Sequence, residues 1–255
     1  MPSIAEYNEY GEELERTMRL HTSPMSVKML EKESDIPEGA VRPWKDRQQH
    51  IAQCQAFALS RRQKQTIAML EEDNWCFAPI IAYGLEDKPE DPELQAFLKF
   101  PTFPRNKYIG IVSAPLAAAN FEPDVIMIYS NTTQLRNMLM PLSFQHKDEI
   151  DYYFFPPACA FQVIPVMENN RYVITLPDPG DYMRALAGED EIILSVPPAR
   201  MEELMTGLRR IRDNEYSFER TGMYMLHDFP QPPFYQMLFQ RWGLSGKDAD
   251  NGRKK

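Results

Sequence analysis

Residues 125–142 constrain the fold more than any other stretch. Val125-Ile126-Met127-Ile128-Tyr129 is apolar at every position, so both faces of a strand built from it would be buried, as in the middle of a sheet covered on both sides. The run passes through Ser130-Asn131 into Leu135, Met138, Leu139 and Leu142, a stripe at helical spacing. Strand, tight turn and helix in so few residues predict an α/β (or α+β) domain: a mixed sheet flanked by helices.

The rest of the chain fits that frame. Ser3-Ile4-Ala5-Glu6 is a capping box, and Ile4, Tyr7, Leu14 and Met18 continue it as an amphipathic helix over 3–20. Ser26–Leu30 reads as a strand and the polar, proline-containing 31–47 as a loop. Residues 48–70 hold neither Gly nor Pro and read as one long helix. A short helix is expected from Cys76 to Tyr83, closed by Gly84, then an irregular stretch over 86–105 with one or two helical turns around Leu94–Leu98. Strands are expected at Tyr108–Val112 and Glu191–Val196. Phe161–Val166 and Tyr172–Leu176 are expected to form a hairpin across Glu168-Asn169-Asn170. Pro197-Pro198 opens a helix with an apolar face of Met201, Leu204, Met205, Leu208 and Ile211. No repeat or low-complexity linker divides the chain. Residues 1–244 are therefore expected to form one domain and the polar 245–255 a disordered tail.

Composition narrows function by exclusion. The 255 residues carry a net charge of −9 with no long Lys/Arg run, which argues against nucleic acid or an anionic membrane surface as the main partner. No apolar stretch is long enough to span a bilayer, and the N-terminus lacks a signal-peptide pattern. GxGxxG, Walker A, HExxH, GxSxG and CxxC are all absent. Three cysteines are too few and too odd for a disulfide framework, which predicts a reducing, cytoplasmic setting.

Three stretches resemble the domain-of-unknown-function family 169, a group common in archaea and anaerobic bacteria. They are Cys54-Gln55-Ala56 followed by Trp75-Cys76 and Gly84-Leu85; Glu122-Pro123-Asp124-Val125 with Tyr129-Ser130-Asn131; and Ala158-Cys159-Ala160 followed by Gly180-Asp181, Arg184 and Asp190-Glu191-Ile192. The resemblance covers roughly residues 10–210. Two features depart from it: Phe77-Ala78-Pro79 replaces a small Pro-Gly-type turn, and Arg184 does not directly follow Gly-Asp.

All three cysteines of the chain, Cys54, Cys76 and Cys159, fall at the family's cysteine positions. Thiolates ligate zinc and iron–sulfur clusters, so one expectation is a three-cysteine metal or iron–sulfur site, with redox activity or an accessory role in anaerobic metabolism as options. The plainer reading is that they are small buried packing residues. His50, four residues before Cys54, shares its helix face and suits a fourth ligand, but a solvent-facing histidine explains it as well. The alternative function is a metal-free small-molecule or regulatory module. It would use Ser130, Asn131 and Thr132 at the strand-to-helix turn, together with Asp181 and Arg184 as an anion site. Against it, Asn131 can be a plain helix cap and Arg184 can pair with Glu189 or Asp190. Whether the partner is a small molecule, another protein or a second copy in a homo-oligomer stays open.

Overall fold

The computed structural model describes residues 2–143, 150–213 and 233–243. The chain divides into two compact units, Met1–Asp213 and Asn214–Lys255. The tail expected at 245–255 lies outside the described residues. In the second unit the described element is one helix, Pro233–Arg241.

The first unit is built on seven strands: β1 (Met25–Leu30), β2 (Ile67–Leu70), β3 (Gly110–Pro115), β4 (Val125–Ser130), β5 (Ile150–Tyr153), β6 (Tyr172–Thr175) and β7 (Ile192–Val196). Their order is β2-β3-β1-β4-β7-β6-β5. Neighbours run antiparallel except β5 and β6, which are parallel, so the sheet is mixed. β4 lies at its centre, every residue buried. Alternation along it serves two cores: Val125, Met127 and Tyr129 enter one and Ile126 and Ile128 the other.

Helices cover both faces. Against the Val125 face pack α3 (Gln53–Gln63), α4 (Phe77–Ala82) and α7 (Ala158–Asn169), through Phe57, Ile81 and Phe161 among others. Against the other face pack α1 (Ile4–Met18), α6 (Thr132–Ser143) and α9 (Met201–Asp213), through Leu14, Met138 and Leu204. The protein is thus an α/β fold. Of the expected helix starts, Ser3 and Glu6 form the capping box.

Two expectations are corrected. Residues 48–70 are not one helix. Within the 31–47 stretch lies a short helix, α2 (Pro43–Arg47), which closes at Gln48 with φ 54°; α3 closes at Lys64 with φ 55°, and Ile67–Leu70 is strand β2. All four β2 residues are buried, leaving no polar face for a surface helix, and they pair with β3. Residues 161–166 are not a strand but the middle of α7, where each residue from Phe161 to Val166 is buried. A helix buried on all sides carries no periodicity, so its β-branched residues imitated a strand. Two further short α-helices are described in this unit, α5 (Pro92–Phe97) and α8 (Pro179–Arg184). Among the described residues no helix is long and apolar enough to cross a membrane.

Candidate functional site

Helix starts bring the cysteines together. Cys54 is the second residue of α3, Cys76 caps α4, and Cys159 is the second residue of α7. The three half-buried thiols line one crevice with Gln53, Asp178, Asp181 and Arg184. At about 30 Å³ it has room for about two waters. Beneath it Tyr83 is fully buried and donates its hydroxyl to the Cys159 carbonyl at 3.1 Å.

Asp178 organises the site. As N-cap of α8 its Oδ1 accepts from the Gly180 and Asp181 amides at 2.7 and 3.2 Å, while its Oδ2 accepts from the Ala158 amide at 2.9 Å, in the first turn of α7. One carboxylate therefore ties the helix bearing Cys159 to the helix bearing Asp181 and Arg184. Asp181 returns the cap, accepting from the Asp178 amide at 3.0 Å. Asp178→Ala is expected to cost about 1–3 kcal/mol, two caps at roughly 1 kcal/mol each, and to speed labelling of Cys159. Urea unfolding and thiol-labelling rates check this; unchanged labelling would show that Ala158 holds its place without the carboxylate.

Arg184 folds back across Gly180, where a Cβ would lie 2.6 Å from its Nη2. Glycine opens the path by which the guanidinium reaches the thiols, Nε 3.5 Å from Cys54 Sγ and Nη2 4.0 Å from Cys76 Sγ. The anticipated pairing of Arg184 with Glu189 or Asp190 is replaced by this contact with sulfur.

Burial dominates the electrostatics. It pushes the Cys54 thiol up to about 11, against the pull of Arg184, and the Cys159 thiol well above its ordinary range, helped by the Asp178 carboxylate. Asp181 rises to about 7, first through burial and then through Asp178. At neutral pH Cys54 and Cys159 are thus protonated. Gln53 is 1% exposed and its Oε1 has no hydrogen-bond donor, so the crevice wall holds a buried acceptor that a guest could satisfy.

The donor set, three sulfurs beside carboxylates, suits a thiophilic metal in kind. Its placement does not: among the described residues no three His, Cys, Asp or Glu side chains are grouped as ligands of one ion. A guanidinium lies against two of the thiols instead.

The other proposed residues stand elsewhere. His50 does not line the crevice; its ring stacks on Trp44 at 4.1 Å and its Nδ1 is 2.9 Å from the Glu72 carbonyl. Ser130 donates to the Ile192 carbonyl, and Asn131 and Gln134 cap each other at the start of α6. Thr132 borders an open apolar groove with Leu135, Leu139 and Ile192. The structure joins Asp181 and Arg184 to the cysteines rather than to this turn. Sequence reasoning missed Asp178 and Gln53; Asp178-Pro179-Gly180, an N-cap followed by proline at the first helical position, was a readable helix start.

No curated protein and no solved structure matches the chain. A family profile described as "Uncharacterised ArCR" matches residues 13–207. That span is most of the 255 residues and contains all three cysteines, and the chain therefore belongs to the domain-of-unknown-function family 169.

Proposed function

We propose that this is a cytoplasmic thiol protein whose working group is the Cys54–Cys76–Cys159 crevice, which takes a thiophilic guest when the Arg184 side chain moves aside. The carrying observation is the convergence of three sulfurs from three separate helix starts on one crevice. Gln53 Oε1, buried without a donor, supports it as a second contact awaiting a guest. The three unpaired thiols suit a reducing compartment.

Phenylarsine oxide, which links thiols lying within reach of one another, tests the reading. One equivalent is expected to protect at least two of the three cysteines from a thiol reagent in the native protein, and any Cys→Ser change in the crevice is expected to weaken that protection. Three thiols that react independently, with no protection, would sink the proposal.

The chemistry of the donors favours one second reading, a resident zinc ion or iron–sulfur cluster held by the same three cysteines. Protein purified without oxygen and analysed for zinc, iron and sulfide separates the two. Stoichiometric metal that disappears in Cys54→Ser, Cys76→Ser and Cys159→Ser would replace the first reading by the second. The turn at 129–132 has less support as a small-molecule site, because Ser130 and Asn131 already use their polar atoms on Ile192 and Gln134.

A further inference from the structure

Gln53, the first residue of α3, stands beside Cys54 in the crevice wall, 1% exposed, with its Oε1 buried and without a donor. A buried acceptor left unpaired costs stability, so a guest that donates to it gains what the protein alone lacks. Arg184 supplies a second observation. One guanidinium meets two sulfurs, Nε at 3.5 Å from Cys54 Sγ and Nη2 at 4.0 Å from Cys76 Sγ. Cys54 and Cys76 are thus the pair that a single atom taking the guanidinium's place would meet.

The lining then selects by charge and size. A metal cation meets the guanidinium lying against the thiols, and an oxyanion meets the carboxylates of Asp178 and Asp181. About 30 Å³, room for about two waters, is too small for an organic disulfide. What fits is a neutral, compact, thiophilic centre that brings its own O–H donor.

We infer that the guest of the crevice is a trivalent metalloid hydroxide, arsenite or antimonite in kind, bound through Cys54 and Cys76 with its remaining hydroxyl donating to Gln53 Oε1. This rests on the reading of the crevice as a thiol site and gives that site a substrate class. The chemistry is a condensation: As(OH)3 and two thiols give (RS)2As–OH and two waters. Two S–H and two As–O bonds break, two As–S bonds form, and the thiol hydrogens leave on the departing hydroxides. Arsenic stays trivalent, so no oxidant or reductant is needed, and no net charge enters the buried crevice. Of the arriving heavy atoms only one arsenic and one oxygen stay, which matches the room for about two waters.

Sodium arsenite added to the full chain is the test, read by titration calorimetry and by X-ray absorption at the arsenic edge. One arsenic per chain is expected, coordinated by two sulfurs and one oxygen. It is expected to be retained in Cys159→Ser and weakened about a hundredfold or more in Cys54→Ser and in Cys76→Ser, where one anchor of the chelate is gone. Gln53→Leu is expected to weaken arsenite binding about tenfold, the worth of one hydrogen bond. The same variant is expected to bind phenylarsine oxide as the wild type does, because a phenyl group there replaces the third hydroxyl; that binding also shows the variant to be folded. Arsenite that fails to bind while phenylarsine oxide protects the thiols would overturn the metalloid hydroxide and leave the thiol site standing. Failure of both would remove the thiol site as well. A centre of three sulfurs without oxygen, or Gln53→Leu holding arsenite as tightly as the wild type, would remove the hydroxyl contact and overturn the assignment. Crevice thiols that hydrogen peroxide oxidises far faster than free cysteine, with arsenite giving no protection, would put peroxide in the metalloid's place.

Discussion

Arg61→Ala is expected to remove about 3–5 kcal/mol of folding stability, the cost typical of breaking a buried ion pair from one side. Arg61 is 2% exposed and Glu191 7%. The guanidinium meets both carboxylate oxygens, at 2.8 and 3.0 Å, and also reaches Thr22 Oγ1 at 3.3 Å. Its Cζ lies 4.0 Å from the centre of the Tyr129 ring, on the central strand. Without it, Glu191 would keep only the Gly188 amide at 2.9 Å and the more distant Arg62 at 3.6 Å. The loss therefore comes mainly from a carboxylate stranded away from water. Urea unfolding at pH 7 measures it, and Glu191→Gln in the Arg61→Ala background is expected to recover part of it. A loss below about 1 kcal/mol would show that water solvates Glu191 as well as arginine does.

The second large effect is one of pH. Asp181 is 3% exposed, and its carboxyl is raised from the ordinary 3.8 to about 7 by burial and then by Asp178, against the opposing charge of Arg61. Below pH 4 the group is protonated in both the folded and the unfolded chain. Between pH 4 and 7 the unfolded chain releases the proton and the folded one keeps it, so the raised carboxyl makes stability fall as pH rises through that window. Each pH unit between the two values is worth about 1.4 kcal/mol, giving an upper limit on the order of 4 kcal/mol. Asp181→Asn has nothing to ionise there. Its neighbours Asp178, Arg61, Cys54, Arg184 and Tyr129 are unchanged, so the difference between the two proteins isolates the one carboxyl. The variant is expected to gain on the wild type steadily from pH 4 to 7 and to hold that gain above. Parallel stability profiles across this window would show that Asp181 ionises at its ordinary value.

What could be read in advance follows the physics of burial. The 125–142 strand and helix were legible because a doubly covered strand must be apolar throughout and the following stripe must repeat at 3.6. The same rule misled at 161–166, where a helix buried on all sides loses its stripe, and at 67–70, where a short buried strand follows a helix without a proline to mark the break. At the site, the meeting of Cys54, Cys76 and Cys159 could not be derived from spacing, since it depends on the order of strands across the whole sheet. The resemblance pointed to the three residues, and the fold supplied the reason they meet. Arg184 was legible only as a cation; its engagement with sulfur needs the backbone of Gly180 beneath it.

The short helix α8 is held at both ends. Asp178 fastens its start to α7, and beyond its end Arg61 and Arg62 reach the Leu186 carbonyl while Arg61 holds Glu191. What is left free to move at the crevice is the exposed Arg184 side chain, and exposed side chains change rotamer in picoseconds to nanoseconds. Entry to the thiols should then be limited by encounter and not by the microsecond-to-millisecond opening of a lid. A guest would meet a doorway whose door is a single residue, and its association rate should scale linearly with concentration without reaching a plateau.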